Sequence, residues 1–223
     1  MKNLKLFLLG IAFFTFSKSY CQNVSMELCA GLGISNPTFK WAGTFKDKNA
    51  GNNFSEIGQL FSLGLTAKVH KFLYLKTEIG TNQTEHQLNV DYIFSDNGGS
   101  KVPLSINGTQ RSDYFYLAVL PEIRSQAISN VSFYANFGAA FYANTSSYLF
   151  DVLLNREIGQ VFRRNGYAFV ANLGLNLKCN DNLGLVMSVG YHNMKTTPRT
   201  FDNIPQIGFT QFNFKGGISY TLR

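Results

Sequence analysis

Apolar and polar residues alternate strictly along several stretches of this chain. Between Asn23 and Ser35, apolar side chains from Val24 to Ile34 occupy every second position, with Ser, Glu, Cys or Gly between them. A period of two is typical of a β-strand with two unlike faces. Seven further stretches share the pattern, and they cover residues 57–69, 72–80, 114–124, 131–144, 167–178, 183–192 and 211–222.

The connections between these predicted strands alternate between long and short. The long ones cover residues 36–55, 82–112, 145–165 and 195–206, and the short ones cover residues 70–71, 125–130 and 179–182. Short turns on one side and long connections on the other indicate strands that run up and down with antiparallel neighbours. No linker or shift in composition divides the pattern, so we expect one domain from residue 22 to residue 223.

The residues between the apolar positions indicate which face of the sheet meets lipid. This second face is mainly Gly, Ser, Asn, Ala and Tyr, which suit a crowded interior better than open water. A Lys or Arg on the lipid face at mid-membrane costs about 2–4 kcal/mol, so charges are expected inside a barrel. The strand charges all fall on the second face: Glu27, Lys68, Lys76, Glu78, Glu122, Arg124, Lys178 and Lys215.

The pattern therefore predicts an all-β fold, an eight-stranded antiparallel up-and-down transmembrane β-barrel. An open sheet edge in hydrocarbon would leave backbone groups unpaired, so the first strand should pair with the last. On that basis we expect an ion pair between Glu27 and Lys215. A barrel of this size has room only for side chains, and we expect a lumen plugged by paired charges and tyrosines.

The N-terminus has the features of a secretory signal peptide. Lys2 and Lys5 precede an apolar run, Leu6–Phe16, that is too short to span a membrane as a helix. A short polar stretch then leads to Cys21, and we expect residues 1–21 to be removed so that the mature chain begins at Gln22. An acylated Cys21 in a lipoprotein is the alternative.

Composition narrows the function classes. Charged residues make up 15% of the chain, against about 25% in ordinary soluble domains. The predicted mature chain keeps 17 basic and 13 acidic residues, and this mild excess is no nucleic-acid signature. Cys29 and Cys179 remain after cleavage, and the sequence leaves open whether they are free or bridged. We find no Cys/His grouping typical of zinc and no cofactor motif, and expect neither.

Particular stretches resemble a known family. These are a signal peptide ending in "SYCQ", a first strand with "GLGIS", the strand "YFYLAVLPEIR" and a final amphipathic strand. With them the mature chain resembles the PorT-like outer-membrane β-barrel proteins of Bacteroidetes, and in size it is similar to the OmpA and OmpX barrels. The resemblance implies a bacterial outer membrane, and the family's namesake suggests an accessory role in protein secretion.

An enzymatic site would have to use the rim, where Ser188 and His192 share the inner face. Four strand residues span roughly 13 Å, far beyond the roughly 3 Å that a nucleophile and its base require. The strands offer no carboxylate to orient the ring, although Asp113 or Asp202 could reach it from a loop. We therefore predict that the protein is not an enzyme.

Two groups on the long connections are candidates for binding. Glu85, His86 and Asp91 offer metal ligands, but their spacing fits no recognised site, so we expect no metal. Aromatics and lysines alternate on the first connection: Phe39, Lys40, Trp41, Lys46 and Lys48. They could bind anionic lipopolysaccharide or glycan, or form an aromatic belt with snorkelling lysines.

The apolar stretch Tyr148–Phe162 should either extend two strands above the membrane or fold back over the mouth. The sequence thus predicts a non-enzymatic outer-membrane protein with a structural or surface-binding role. Its expected partners are outer-membrane lipid, lipopolysaccharide and a glycan or protein at the extracellular loops, with no nucleic acid, and we expect a monomer. The alternatives are a narrow channel for small polar or lipid-like solutes and the accessory role in secretion.

Overall fold

The computed structural model describes residues 24–40, 46–47, 57–95, 101–151, 156–158, 165–196 and 206–222. The predicted signal peptide, Trp41, Lys48 and Asp202 lie outside these residues, as does part of the stretch Tyr148–Phe162. In the described part of the chain, no helix is long and apolar enough to cross a membrane.

The described structure is built from β-strands. In chain order they are β1 (Val24–Lys40), β2 (Lys46–Asp47), β3 (Ile57–Lys68), β4 (Leu73–Ser95), β5 (Lys101–Arg124), β6 (Val131–Asp151), β7 (Arg156–Ile158), β8 (Gly166–Lys178), β9 (Leu183–Thr196) and β10 (Gln206–Leu222). The strands β2 and β7 are short, and each pairs with one long strand, β4 and β6 respectively. The other eight strands form the barrel wall.

The eight long strands close into a ring of antiparallel pairs. From β3 the wall runs through β4, β5, β6, β8 and β9 to β10. The strand β1 then pairs with β10 from Val24 opposite Leu222 to Lys40 opposite Gln206, and with β3 on its other side. The predicted fold class, a closed eight-stranded antiparallel up-and-down barrel, is confirmed.

The two ends of the barrel differ. At one end, which we call the turn end, the chain passes between strands through residues 69–72, 125–130 and 179–182. Val24 and Leu222 also lie there, because they are paired at the start of β1 and the end of β10. At the opposite end, the loop end, several strands run on beyond the alternating stretches. The alternation of short and long connections was therefore a good guide to topology.

One predicted connection was wrong. Residues 82–112 were expected to form a long loop, but β4 continues to Ser95 and pairs with β5 without interruption as far as Ser95 opposite Lys101. Backbone pairing requires no difference between the two faces of a strand, so the ladder continues where the period of two is lost. Likewise β6 continues to Asp151 and pairs with β7, which agrees with strand extension as one of the two expected outcomes.

The two faces of the wall are chemically opposite. In β1 the large apolar side chains are exposed, namely Met26, Leu28, Leu32 and Ile34. Glu27 and Cys29, which lie between them in the sequence, are buried. The strand β9 repeats the arrangement, with Leu185, Met187 and Val189 outside. The protein is therefore apolar outside and polar within, the reverse of a water-soluble barrel.

Candidate functional site

The lumen near the turn end holds six charged side chains in mutual contact. We call them the ionic cluster, and its members are Glu27, Lys76, Glu78, Glu122, Arg124 and Lys215. Five of them have relative exposures of 3% or less, and only Arg124 is half-buried. The cluster has equal numbers of acids and bases, so the buried charge is balanced. Balance matters because an unpaired charge in this setting would cost several kcal/mol.

Lys76 reaches Glu27 across an intervening strand. Lys76 lies on β4 and Glu27 on β1, with β3 between them, yet Lys76 Nζ lies 2.5 Å from Glu27 Oε2. Gly64 of β3 makes this passage available, since a Cβ added there would lie only 2.9 Å from Lys76 Cε. The Lys76 side chain therefore passes directly over Gly64, and an added Cβ would require the end of this flexible chain to shift.

Lys215 does not pair with Glu27, so that prediction was wrong. The register places Lys215 opposite Gly31 and Glu27 opposite Ser219, which separates the two charges by four positions, or roughly 13 Å along the strand. Lys215 instead lies over Gly31 and donates a 2.8 Å hydrogen bond to Glu78 Oε1. The strands β1 and β10 do pair as expected, but their register places Lys215 within reach of Glu78 and not of Glu27.

Arg124 and Glu122 connect the cluster to a row of amides. The Arg124 guanidinium bonds Glu122 Oε1 at 2.5 Å and approaches Glu27 Oε1 at 3.7 Å. On its other oxygen, Glu122 accepts a hydrogen bond from Asn136 Nδ2, and Asn136 Oδ1 accepts one from Asn172 Nδ2. Because a carboxylate only accepts, this chain fixes the orientation of both amides.

Two of the eight predicted lumen charges lie outside the ionic cluster. Lys178 is more than half exposed at the turn end and pairs with Asp181 at 3.0 Å, so its predicted place in the lumen is corrected. It is the last residue of β8, where the alternation no longer distinguishes inside from outside. Lys68, the last residue of β3, is half-buried and lines the mouth at the same end.

Towards the loop end, aromatic and apolar side chains replace the charges. This aromatic layer consists of Leu60, Tyr114, Tyr116, Leu120, Tyr142, His192, Met194 and Phe209, all buried. Tyr116 and Tyr142 are stacked at 5.3 Å, and Phe209 meets Tyr142 edge-on at 5.6 Å. A 2.6 Å hydrogen bond from the Tyr116 hydroxyl to Glu78 joins the layer to the ionic cluster.

Tyrosines of the lumen lie opposite glycines on the neighbouring strand. The register pairs Tyr116 with Gly80 and Tyr134 with Gly174. A Cβ at Gly80 would lie 2.9 Å from the Tyr116 ring, and one at Gly174 would lie 2.5 Å from the Tyr134 hydroxyl oxygen. Bulky and minimal side chains thus alternate around the wall, and this is how a narrow barrel is filled.

In the part of the barrel that the structure describes, His192 is not placed to act as a general base for Ser188. His192 is fully buried, and its Nδ1 lies 2.5 Å from the Tyr142 hydroxyl, so a tyrosine occupies the place of an orienting acid. Asp113 is engaged elsewhere, accepting hydrogen bonds from Gln83 and Ser146. Among the described residues these contacts offer a packing role for His192, because the geometry of a nucleophile and its base is not met.

The candidate metal ligands and the candidate loop-binding residues that the structure describes lie on strands. Glu85 and His86 are consecutive residues of β4, and Asp91 follows on the same strand. Within the described ranges, no three His, Cys, Asp or Glu residues are placed to hold a metal ion. Of the loop candidates, Phe39 and Lys40 end β1, and Lys46 begins β2, where the strand register places its backbone opposite Asp91 of β4. Cys29 and Cys179 are free, Cys29 buried and Cys179 exposed.

Comparison with known proteins shows similarity in structure. No family model matches the chain, and no curated protein matches it. The outer membrane protein OprG from Pseudomonas aeruginosa aligns with a TM-score of 0.57 at 11% identity, over 92% of this chain and 97% of OprG. The chain has the outer-membrane β-barrel fold. Neisserial surface protein A aligns with a TM-score of 0.52 at 8% identity, over 88% of this chain and 96% of that protein.

Sequence reasoning identified most charges and the tyrosines in the lumen of this outer-membrane-type barrel but missed the apolar members of the aromatic layer, such as Phe209 and Met194. Tyr114, Tyr116 and Tyr142 lie on the inner face, as expected for a lumen plugged by charges and tyrosines. Phe209 was missed because it precedes the alternating stretch of β10. A signal was present in the sequence, since large inner residues must be matched by small ones on adjacent strands, and Gly80 and Gly166 are such partners.

Proposed function

We propose that this protein is a non-enzymatic outer-membrane β-barrel, with the turn end facing the periplasm and the loop end facing outward. The fold shared with OprG and the exposed apolar wall support this location. The expected role is structural or surface-binding, and it is carried by the loop end rather than by the lumen. Outer-membrane lipid and lipopolysaccharide would surround a monomer.

The observation that carries the proposal is the burial of charged and aromatic side chains along the lumen. Glu122 and Leu120, consecutive inward positions of β5, are fully buried, and Tyr116 and Tyr142 above them have relative exposures of 1% and 0%. A passage for solutes needs a continuous bore, whereas here charged and aromatic layers follow each other along the barrel axis. Function is therefore expected at the ends of the barrel.

The loop end supports a binding role because strands project there. The part of β5 that precedes Tyr114 begins at Lys101 and is thirteen residues long, or roughly 40 Å along the strand. It pairs throughout with β4, so the projection is a continuous β-hairpin. Such a hairpin offers a stable surface to a glycan or protein partner outside the membrane.

Single-channel recording tests the filled lumen. Mature protein is refolded in detergent and added to a planar bilayer, and a gel shift between boiled and unboiled samples confirms that it has folded. We expect no conductance from the wild type or from Glu78→Gln. Stable conductance steps whose ion selectivity changes in Glu78→Gln would contradict the proposal and support the narrow channel for small polar or lipid-like solutes.

The native Cys179 tests the orientation. It is exposed at the turn end, so a bulky maleimide that cannot cross the outer membrane should label it only after cells are permeabilised. The matched control is Tyr148→Cys in a Cys179→Ser background, because Tyr148 is exposed near the loop end. Labelling of Tyr148→Cys in intact cells is expected, and the reverse pattern would overturn the orientation.

The resemblance to PorT-like proteins supports a narrower assignment to Bacteroidetes and the removal of residues 1–21. An accessory role in secretion rests on that resemblance alone. It predicts that cells lacking the protein secrete less protein while their envelope stays intact. Normal secretion in such cells would exclude the accessory role and leave the surface role in place.

A further inference from the structure

A cavity of about 460 Å³ opens at the turn end of the barrel. Residues from all the short turns and the adjoining strand ends line it, among them Lys68, Lys71, Arg124, Lys178, Asn130 and Asn182. This turn-end pocket is separate from the loop end, where the surface role is proposed. Its volume is within the range of about 300–1,000 Å³ typical of small-molecule sites.

The lining of the pocket is strongly basic. The lining includes four bases, Lys68, Lys71, Arg124 and Lys178, and one acid, Asp181, and Arg124 also belongs to the ionic cluster. Asp181 pairs with Lys178 at 3.0 Å, and both side chains are more than half exposed, so this pair is weak. The pocket therefore has an excess of positive charge that attracts anions at low ionic strength.

Hydrogen-bond donors accompany these charges. Amide side chains from two strand connections, Asn130, Asn180 and Asn182, line the pocket beside the hydroxyl of Thr221. The Asn180 Oδ1 atom accepts hydrogen bonds from the backbone nitrogens of Asn182 and Leu183, which leaves its amide nitrogen as the donor to the pocket. Lysine ammonium groups with amide and hydroxyl donors are the chemistry that binds oxyanions.

The pocket is a cup and not the entrance to a channel. Its floor is Arg124, whose guanidinium lies 4.7 Å from the Tyr74 ring and 5.8 Å from the Tyr134 ring. Beneath it lie Glu122 and Glu27, both fully buried within the ionic cluster. A molecule that enters from the turn end therefore stops at Arg124.

We propose that the turn-end pocket binds a small ligand bearing a phosphate or carboxylate group. The juxtaposition of Lys68, Lys71 and Lys178 around an amide-lined cup carries this inference. The group could belong to a soluble molecule or to the headgroup of an anionic phospholipid in the adjacent leaflet. Binding at this site requires only the folded barrel, so it is independent of the role proposed for the loop end.

The test measures binding of inorganic tripolyphosphate to the folded protein in phosphatidylcholine nanodiscs, by isothermal titration calorimetry. We expect saturable binding that weakens about tenfold in Lys68→Gln/Lys71→Gln, since each lysine supplies a charge-assisted hydrogen bond. The charge-matched control is Arg111→Gln/Lys195→Gln, two exposed bases near the loop end, which should bind as the wild type does. A gel shift confirms that every variant has folded.

Absence of saturable binding by folded wild-type protein would overturn the proposal, as would equal weakening in the control variant. A second set of nanodiscs containing phosphatidylglycerol distinguishes the two sources of the anionic group. If the wild type binds tripolyphosphate more weakly in these nanodiscs than in phosphatidylcholine, and this difference is lost in Lys68→Gln/Lys71→Gln, a lipid headgroup is the occupant. Unchanged binding identifies a soluble ligand. Conductance and surface labelling are separate measurements, so failure of the proposed function leaves this result interpretable.

Discussion

The Tyr116 hydroxyl donates a 2.6 Å hydrogen bond to Glu78 Oε1, and the same oxygen accepts a hydrogen bond from Lys215 Nζ at 2.8 Å. Glu78 is therefore the point at which the aromatic layer and the ionic cluster meet. Lys76 lies 3.2 Å from its other oxygen, so the carboxylate has a partner on both sides. One residue of β4 thus connects side chains from β5 and β10 through the middle of the barrel.

Replacing Glu78 should strongly destabilise the barrel. In Glu78→Gln the ionic cluster has more bases than acids, and a buried charge left without its partner costs about 3–5 kcal/mol. The measurement is the free energy of unfolding in urea for protein inserted in lipid vesicles. The control is Asp181→Asn, which removes an exposed pair and should cost less than about 1 kcal/mol. Equal effects of the two substitutions would contradict the central place given to Glu78.

A double-mutant cycle can identify the partner of Glu27. We expect Glu27→Gln and Lys76→Met to be coupled by about 1–3 kcal/mol, because the two side chains are in direct contact. The cycle of Glu27→Gln with Lys215→Met should show a clearly smaller coupling, since Lys215 bonds Glu78 instead. The reverse order would support the pair expected from strand adjacency alone.

The failure of the Glu27–Lys215 prediction shows what the sequence left undetermined. Alternation established that both residues point inward and that β1 adjoins β10. It did not establish the register, which places Lys215 opposite Gly31. Nor did it show that Lys76 would reach over Gly64, because long side chains cross several strands inside a narrow barrel. Contacts across a lumen depend on the register between neighbouring strands and on which glycines lie beneath long side chains. The pattern within one strand gives neither of these.

A charge placed on the outer wall should prevent normal insertion. Leu63 is exposed on β3, opposite Leu28 and Ile79, which are exposed as well. Leu63→Arg is expected to cost about 2–4 kcal/mol at mid-membrane and to lower the folded fraction on a gel-shift assay in vesicles. The control is Val69→Arg at the turn end, where the cost should be about 0–1 kcal/mol. If both variants fold as the wild type does, the outer wall does not face lipid.

The two cysteines should differ sharply in reactivity. Cys29 has a relative exposure of 6% within the lumen, whereas Cys179 lies exposed at the turn end. In protein prepared to begin at Gln22, and so without Cys21, a small maleimide is expected to modify one thiol per folded molecule and two after denaturation, as measured by mass spectrometry. Cys179→Ser should abolish labelling of the folded protein, and Cys29→Ser should leave it unchanged. Rapid labelling of two thiols in folded protein would contradict a packed lumen.

The sequence was most informative where the two faces of a strand differ. From Val24 to Ser35 the apolar and polar positions fall on the outer and inner faces as predicted. Beyond Asn82 the alternation ends although β4 continues to Ser95, so the projecting hairpin was taken for a loop. Lys178, the last residue of β8, was wrongly predicted to lie in the lumen. At the mouth of the barrel a side chain on the inner face can also reach solvent, so the alternation does not predict burial there.

Glycine-to-alanine substitutions should show how tightly the lumen is packed. The effect of crowding at a lumen glycine can be compared with the effect of the same substitution where there is free space. In Gly80→Ala the new Cβ would lie 2.9 Å from the Tyr116 ring and would also clash with the backbone oxygen of Phe61, so neighbouring groups must move. Overpacking of this kind costs about 1–3 kcal/mol. Gly216→Ala is the matched control, because no described atom lies within 4 Å of its added Cβ.

We therefore expect Gly80→Ala to lose about 1–3 kcal/mol of unfolding free energy in urea, while Gly216→Ala gains up to about 1 kcal/mol because alanine loses less chain entropy on folding. If the crowding at Gly80 comes from the tyrosine ring, adding Tyr116→Leu to Gly80→Ala should cost less than Tyr116→Leu costs in the wild type. Additive losses would instead assign the effect to the backbone contact with Phe61, and a neutral Gly80→Ala would show that the aromatic layer is loosely packed.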